Sequence, residues 1–240
     1  MTDTNEMAQR CFLVTGASSG IGLAIARRLV ADGHDVVGIA RDFSKTAYSH
    51  ERFQAVVADL ADLETLPDRL QRLLADHPDI SGAVLCAGRG HFGNLEEFSY
   101  AQIRELVDLN LISQIYFARA LLPHFKRLEC SDLVLLGSEA ALSGGRKGAV
   151  YCATKFALRG LAQALREECA RRGVRVTLIN PGMVHTPFFD QLSFRPGGSP
   201  ENFVLPEDVA SAVSLVVNAR PGTVYDEINL SPLKRVIDFG

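Results

Sequence analysis

Short runs rich in Val, Ile and Leu recur along the chain, most of them separated by longer segments whose apolar residues return every three or four positions. Brief aliphatic runs fit strands buried on both faces, and the three-to-four spacing draws an apolar stripe along a helix. The pattern predicts strands at residues 11–14, 35–40, 53–58, 82–86, 133–136, 174–179 and 224–228. Helices are expected between them. In 21–31, Ile21, Ile25 and Leu29 share one face and Asp32-Gly33 follows as a stop; in 63–76, Leu63, Leu66, Leu70, Leu73 and Leu74 form the stripe. Two longer helices are predicted at 101–127 and 150–172, and a shorter one at 206–218, where Pro206 suits a first turn. Alternation of this kind implies an α/β doubly wound parallel sheet of about seven strands in a single domain, residues 11–240, whose ligand crevice lies at the carboxyl ends of the strands. The long irregular stretch 187–205, with Pro196-Gly197-Gly198, is expected to form a lid over that crevice.

Candidate chemistry sits where this topology puts a crevice. The first strand runs into Thr15-Gly16-Ala17-Ser18-Ser19-Gly20-Ile21-Gly22 and then a helix. Glycines there tighten the turn, admit a pyrophosphate to backbone N–H groups and let helix and sheet pack closely, so a dinucleotide is expected. Tyr151 and Lys155 lie four residues apart, on one face of the predicted helix 150–172. A phenol ionises near 10 unless a cation favours its phenolate, and Lys155 can supply that charge. Ser138 follows the strand 133–136, thirteen residues before Tyr151, and Asn110 interrupts the apolar run Leu109–Ile112 inside a helix, a position that suits asparagine poorly.

Composition narrows the partners. With 25 Lys+Arg against 28 Asp+Glu the net charge is −3, which offers no concentrated positive field for a phosphate backbone, and no nucleic acid partner is expected. Five scattered cysteines without a Cys-x-x-Cys pair imply neither a disulfide framework nor a metal site, and a reducing, cytoplasmic location is expected. The polar segment 1–10 is expected to be flexible and lacks the character of a secretion signal; no apolar stretch is long enough for a membrane span.

Taken in order and at these separations, the motifs resemble the short-chain dehydrogenase/reductase family, in its compact Rossmann-type branch, over nearly the whole chain from Cys11 to about Leu230. The resemblance implies an oxidoreductase with Asn110, Ser138, Tyr151 and Lys155 as catalytic tetrad. It implies cofactor contacts from Gly16, Ser18, Ser19, Gly20, Ile21 and Gly22, from Asp59 and Leu60 at the adenine, from Ala87 and Gly88, from Tyr151 and Lys155, and from Pro181, Gly182, Val184 and Thr186 at the nicotinamide. One departure stands out: Cys86 occupies the place of the family's customary Asn in Leu85-Cys86-Ala87-Gly88. In the family that Asn braces the central sheet. Tyr151 would exchange the proton on the substrate oxygen, Ser138 would hydrogen-bond that oxygen, Lys155 would lower the phenol's pKa and hold the ribose, and Asn110 would anchor a water.

The end of the second strand reads Gly38-Ile39-Ala40-Arg41, with Ala40 where an acidic residue would hold a free ribose 2′-OH and Arg41 able to pair with a 2′-phosphate, so NADP(H) is favoured over NAD(H). Phe188, Phe189, Leu192, Phe194 and Phe203, with Phe92 and Leu142, are expected either to wall an apolar pocket for a small carbonyl or alcohol substrate or simply to pack the loop down. His91, Arg146, His185 and Arg195 leave an acidic substrate open. A homodimer or homotetramer is expected by resemblance, and a non-catalytic NADP-binding sensor or scaffold is the competing reading.

Overall fold

The structure, a computed structural model, describes residues 9–239. Seven parallel strands form one sheet: β1 (Cys11–Thr15), β2 (Asp35–Ala40), β3 (Phe53–Val57), β4 (Ile80–Leu85), β5 (Ser131–Leu136), β6 (Val174–Pro181) and β8 (Glu227–Leu230). Their spatial order is β3-β2-β1-β4-β5-β6-β8. The chain therefore winds outward from β1 to β3, then returns to the other side of β1 through β4. The chain leaving β1 enters a helix on one face of the sheet and the chain leaving β4 enters helices on the other, and a strand-order reversal of this kind opens a crevice.

Each face of the sheet carries its own core. On one, Leu66, Leu70 and Leu73 of α2 (Leu66–Asp76), Phe117, Leu121 and Phe125 of α4 (Ser113–Phe125), and Leu165 and Cys169 of α5 (Ala149–Cys169) bury one alternating set of strand positions, Leu13, Leu85, Leu135 and Val176 among them. On the other, α1 (Gly20–Ala31) and α6 (Pro206–Val217) pack over Phe12, Val14, Val84 and Val134. Strand residues alternate between two apolar faces, so the strands read as unbroken aliphatic runs.

Three expectations change. The single helix predicted over 101–127 is α3 (Tyr100–Val107), a π-helical turn at Asp108–Ile112, and then α4. The widened turn carries Asn110, and such turns let a helix absorb an extra residue where a side chain must be re-aimed. The strand predicted over 224–228 is β8, three residues later, because its pairing partner is the carboxyl half of β6, from Leu178 opposite Glu227 to Pro181 opposite Leu230. The stretch 187–205 is not featureless: it holds 3₁₀ turns at Pro187–Phe189 and Pro200–Asn202 and the strand β7 (Phe194–Pro196), which pairs antiparallel with β9 (Ile237–Phe239). The C-terminal segment is thus strapped to this stretch, reinforced by Lys234 Nζ donating to Glu201 Oε1 at 2.6 Å and by Gly197 N donating to Val236 O at 3.0 Å. Residues 1–8 of the segment expected to be flexible lie outside the described residues; Arg10, at its end, is held against Asp132 at 2.7 Å.

Candidate active site

The loop after β1 is shaped by glycine where side chains have no room. Gly16 and Gly20 adopt positive φ of 72° and 50°, and a Cβ on Gly22 would stand 2.2 Å from the Gly16 carbonyl oxygen. Such a contact forbids any larger residue at position 22 unless the loop moves. Two other loops close on this one. A Cβ on Gly16 would meet Ala87 Cα at 3.2 Å, and one on Gly20 would meet Thr186 Cγ2 at 3.3 Å. Ser19 precedes α1 without placing its side chain on the helix's first N–H groups, so those donors remain for an anion at the positive end of the helix dipole. The residues present fit a dinucleotide pyrophosphate.

The segment 86–89 is braced from three directions. Thr15 Oγ1 accepts from Cys86 N at 2.9 Å and Ala87 N at 3.0 Å; Gln114 Nε2 donates to Ala87 O at 2.8 Å; Asn110 accepts from Arg89 N and donates to Arg89 O, both at 2.9 Å. Asn110 therefore spends its side-chain amide on holding the loop, and any water it anchors must use its backbone. Thr15 and Gln114 supply bracing at the segment where Cys86 replaces asparagine. Neither was singled out from sequence as a bracing residue, though Gln114 lies one helical turn beyond Asn110, a spacing that could have flagged it.

Tyr151 and Lys155 are buried on one face of α5. Lys155 Nζ donates to Leu136 O at 2.9 Å and lies 5.7 Å from the centre of the Tyr151 ring; a Cβ on Gly88 would stand 3.9 Å from it. Ser138 follows β5, with its N–H donating to Asn180 Oδ1 at 3.2 Å and its Oγ accepting from Ala140 N at 3.1 Å. Asn180, buried on β6 and itself held by Glu227 and Asn229 of β8, orients Ser138, a role that the sequence did not reveal.

Burial governs the titration here. It pushes the Tyr151 phenol up to about 12, with Ser138 pulling it back and Cys152 and Glu139 adding to the rise. Burial also pulls Lys155 down to about 8. The lysine was expected to lower the phenol, but in this state it gives up its proton first and is neutral by the pH at which the phenol ionises. Cys86 offers little counter-charge, since burial pushes its thiol up to about 12.

The remaining predicted contacts divide. Arg41 is exposed just beyond β2 and enters none of the ion pairs among the described residues; Asp42 beside it is taken by Ser44, accepting from its N at 2.7 Å and its Oγ at 2.8 Å. Thr46 Oγ1 donates to Ser18 O at 2.6 Å, tying this loop to the glycine turn. Asp59 is exposed and accepts from Ala61 N at 3.0 Å, whereas the Leu60 side chain is packed in the core, leaving its backbone alone to meet an adenine. Pro181 ends β6; Gly182 N donates to Leu230 O at 2.7 Å, and Val184 bridges to Val204. Beside the site, Phe189, Leu192, Phe194, Phe203, His185 and Arg195 help line a cavity of about 730 Å³. Phe92 joins its wall to the phenol, lying 4.9 Å from Phe194 and 5.1 Å from Tyr151 between ring centres, and Phe188 does the same from Phe189. Leu142 is not among its walls.

A crevice at a strand-order reversal, a glycine turn opening a helix, and a buried Tyr-Lys pair facing a strand-end serine define a nucleotide-dependent oxidoreductase fold. Residues 10–195 match the short chain dehydrogenase family, and the chain belongs to it. It is 27% identical over 232 residues to an uncharacterized oxidoreductase of Staphylococcus epidermidis, covering 95% of this chain and 99% of that one. It is 34% identical over 204 residues to estradiol 17-beta-dehydrogenase 1 of Rattus norvegicus, covering 79% of this chain but only 58% of that longer protein. Among solved structures it resembles an alcohol dehydrogenase from the archaeon Thermococcus sibiricus complexed with 5-hydroxy-NADP, with a TM-score of 0.85 at 27% identity over 95% of this chain and 99% of that one. No helix among the described residues is long and apolar enough to cross a membrane.

Proposed function

We propose that the chain interconverts a ketone or aldehyde and the corresponding alcohol with NADP(H), with Tyr151 exchanging the proton on the substrate oxygen. The observation that carries this reading is the convergence of Ser138, Tyr151 and Lys155 from β5 and α5 beside the loop that Asn110 holds. A bound nicotinamide dinucleotide supplies the hydride that reduces the carbonyl carbon, or accepts it in the reverse direction. Gly16, Ser18, Ser19, Gly20, Ile21 and Gly22 would hold its pyrophosphate, Ala87, Gly88 and Lys155 its ribose, and Pro181, Gly182, Val184 and Thr186 its amide end. Ser138 orients the substrate oxygen against the phenol, and the surrounding aromatic rings exclude water. In its ammonium form Lys155 favours the phenolate, and the charge it needs is available below about pH 8.

Preference for the 2′-phosphate rests on Arg41, whose neighbouring carboxylate is occupied by Ser44. The Thermococcus sibiricus protein, complexed with 5-hydroxy-NADP, agrees with it. Arg41→Ala should lower kcat/KM for NADPH by about tenfold or more and leave NADH nearly unchanged; an equal loss with both would remove the basis for the preference. Tyr151→Phe should cut turnover by roughly 10²–10⁴-fold while NADPH binding, followed by fluorescence, persists. Turnover retained in that variant would sink the assignment, and binding without turnover of any carbonyl by the wild type would favour the sensor.

A further inference from the structure

The aromatic rings beside the phenol continue into the cavity of about 730 Å³. Phe92 and Phe188 flank Tyr151, their ring centres 5.1 and 6.2 Å from its own. Each also touches a wall of the cavity: Phe92 meets Phe194 at 4.9 Å, and Phe188 meets Phe189 at 5.2 Å. The two rings converge on Gly90, where a Cβ would stand 2.8 Å from Phe92 Cε2 and 2.4 Å from Phe188 Cζ. One layer of rings therefore lies between the phenol and the cavity. The glycine turn borders the cavity as well, since Thr186 lines it and has its Cγ2 3.3 Å from the point where a Cβ on Gly20 would stand. A carbonyl held between Ser138 and Tyr151 thus has this space within reach of the chain it carries.

The walls define what that chain is. Phe189, Leu192, Phe194 and Phe203 are half-buried and give the cavity its apolar surface. Its charged walls set one arginine against two aspartates: Arg195, opposite Asp238 in the β7–β9 pair, and Asp190, all three exposed. That balance gives an anionic tail no net attraction. A volume of this size suits a ligand body much larger than a simple ketone. We propose that the cavity takes the body of the substrate, which is then an elongated, largely apolar carbonyl compound or alcohol, its reacting carbon at Tyr151 and its chain led past Phe92 and Phe188 into the stretch 187–205.

This role presupposes the oxidoreductase reading, and one homologous series tests the two separately. In 2-butanone, 2-octanone and 2-undecanone the reacting group is constant and the apolar chain lengthens. For the wild type kcat/KM should rise by about threefold per methylene along the series, as the chain leaves water. Gly198 lines the cavity and a Cβ there would meet nothing within 4 Å, so a large side chain can be introduced at this point without displacing a neighbour. Gly198→Trp should lower kcat/KM for 2-undecanone about tenfold or more, chiefly through KM, and leave 2-butanone within about twofold; Gly198→Ala should stay near the wild type with both. Ser193→Trp, which fills the cavity from another part of its wall, should reproduce the loss with the long ketone. Turnover that is flat along the series in the wild type, or a steep series that neither Trp variant shortens, overturns the role of the cavity and leaves the enzyme reading intact. An equal loss with all three ketones in the Trp variants overturns that role too. A wild type that reduces none of them with either dinucleotide overturns the enzyme reading and this inference with it.

Discussion

The two ends of the sheet treat buried charge in opposite ways. At the amino end, Asp132 on β5 lies directly opposite Arg175 on β6 and receives its guanidinium at 2.8 Å on each oxygen, while Arg10 adds a third contact at 2.7 Å. Arg175 continues to the carbonyls of Val217 and Ala219 where α6 ends, and Arg10 to that of Ser81. Every charge there has a partner, and the Asp132 bonds hold the Arg175 pKa up against the effect of burial. At the carboxyl end, Lys155 is just as deeply buried with one backbone carbonyl as its hydrogen-bond partner and, among the described residues, no carboxylate paired with it. The first arrangement fastens the fold, and the second leaves an ammonium that gives up its proton easily, an arrangement that fastens nothing.

Removing each charge should therefore have opposite effects on stability. Lys155→Met should lower turnover by roughly 10³-fold or more and yet raise the thermal midpoint at pH 7 by roughly 5 °C, because an uncompensated buried cation is gone. A fall in the midpoint would break the comparison. Asp132→Ala should cost about 3–5 kcal/mol in urea unfolding, since it strands two guanidiniums, while activity per folded molecule stays near the wild-type value. The smallest effect is a pH dependence. The folded-state pKa of Lys155, about 8, lies below its ordinary 10.5, so between these values the unfolded chain holds a proton that the folded one has lost. Lys155 should thus make stability rise with pH across that window, by at most about 1.4 kcal/mol per unit, and Tyr151, raised from 10.0 to about 12, should make it fall above pH 10. Urea midpoints at pH 8, 9 and 10 should show a rise in the wild type that is missing in Lys155→Met.

Much of this was legible in the sequence because it depends on local pattern. Buried strands announce themselves as aliphatic runs, and the Gly16-Gly20-Gly22 spacing and the Tyr151-Lys155 interval are set within one turn or one helix. The split of 101–127 was not legible, because Asn110 is re-aimed by contact with Arg89, a residue twenty-one positions away. Nor was the strap between β7 and β9, since a three-residue strand carries too little periodicity to be seen without its partner. The roles of Thr15, Gln114 and Asn180 escaped for the same reason: each acts on a backbone segment that is remote in sequence.

The sequence by itself determined the order of strands and helices, the glycine turn and the family to which the chain belongs, because these follow from side-chain periodicity and from spacings shorter than a helix. Tertiary structure decided which charges are answered and which are not. Nothing in the row of letters shows that Asp132 is answered by charge and Lys155 is not; the fold gives one Arg175 from the neighbouring strand and Arg10 from before β1, and the other a single carbonyl. Desolvation and partner geometry depend on what the fold brings near, and no run of consecutive residues contains that information.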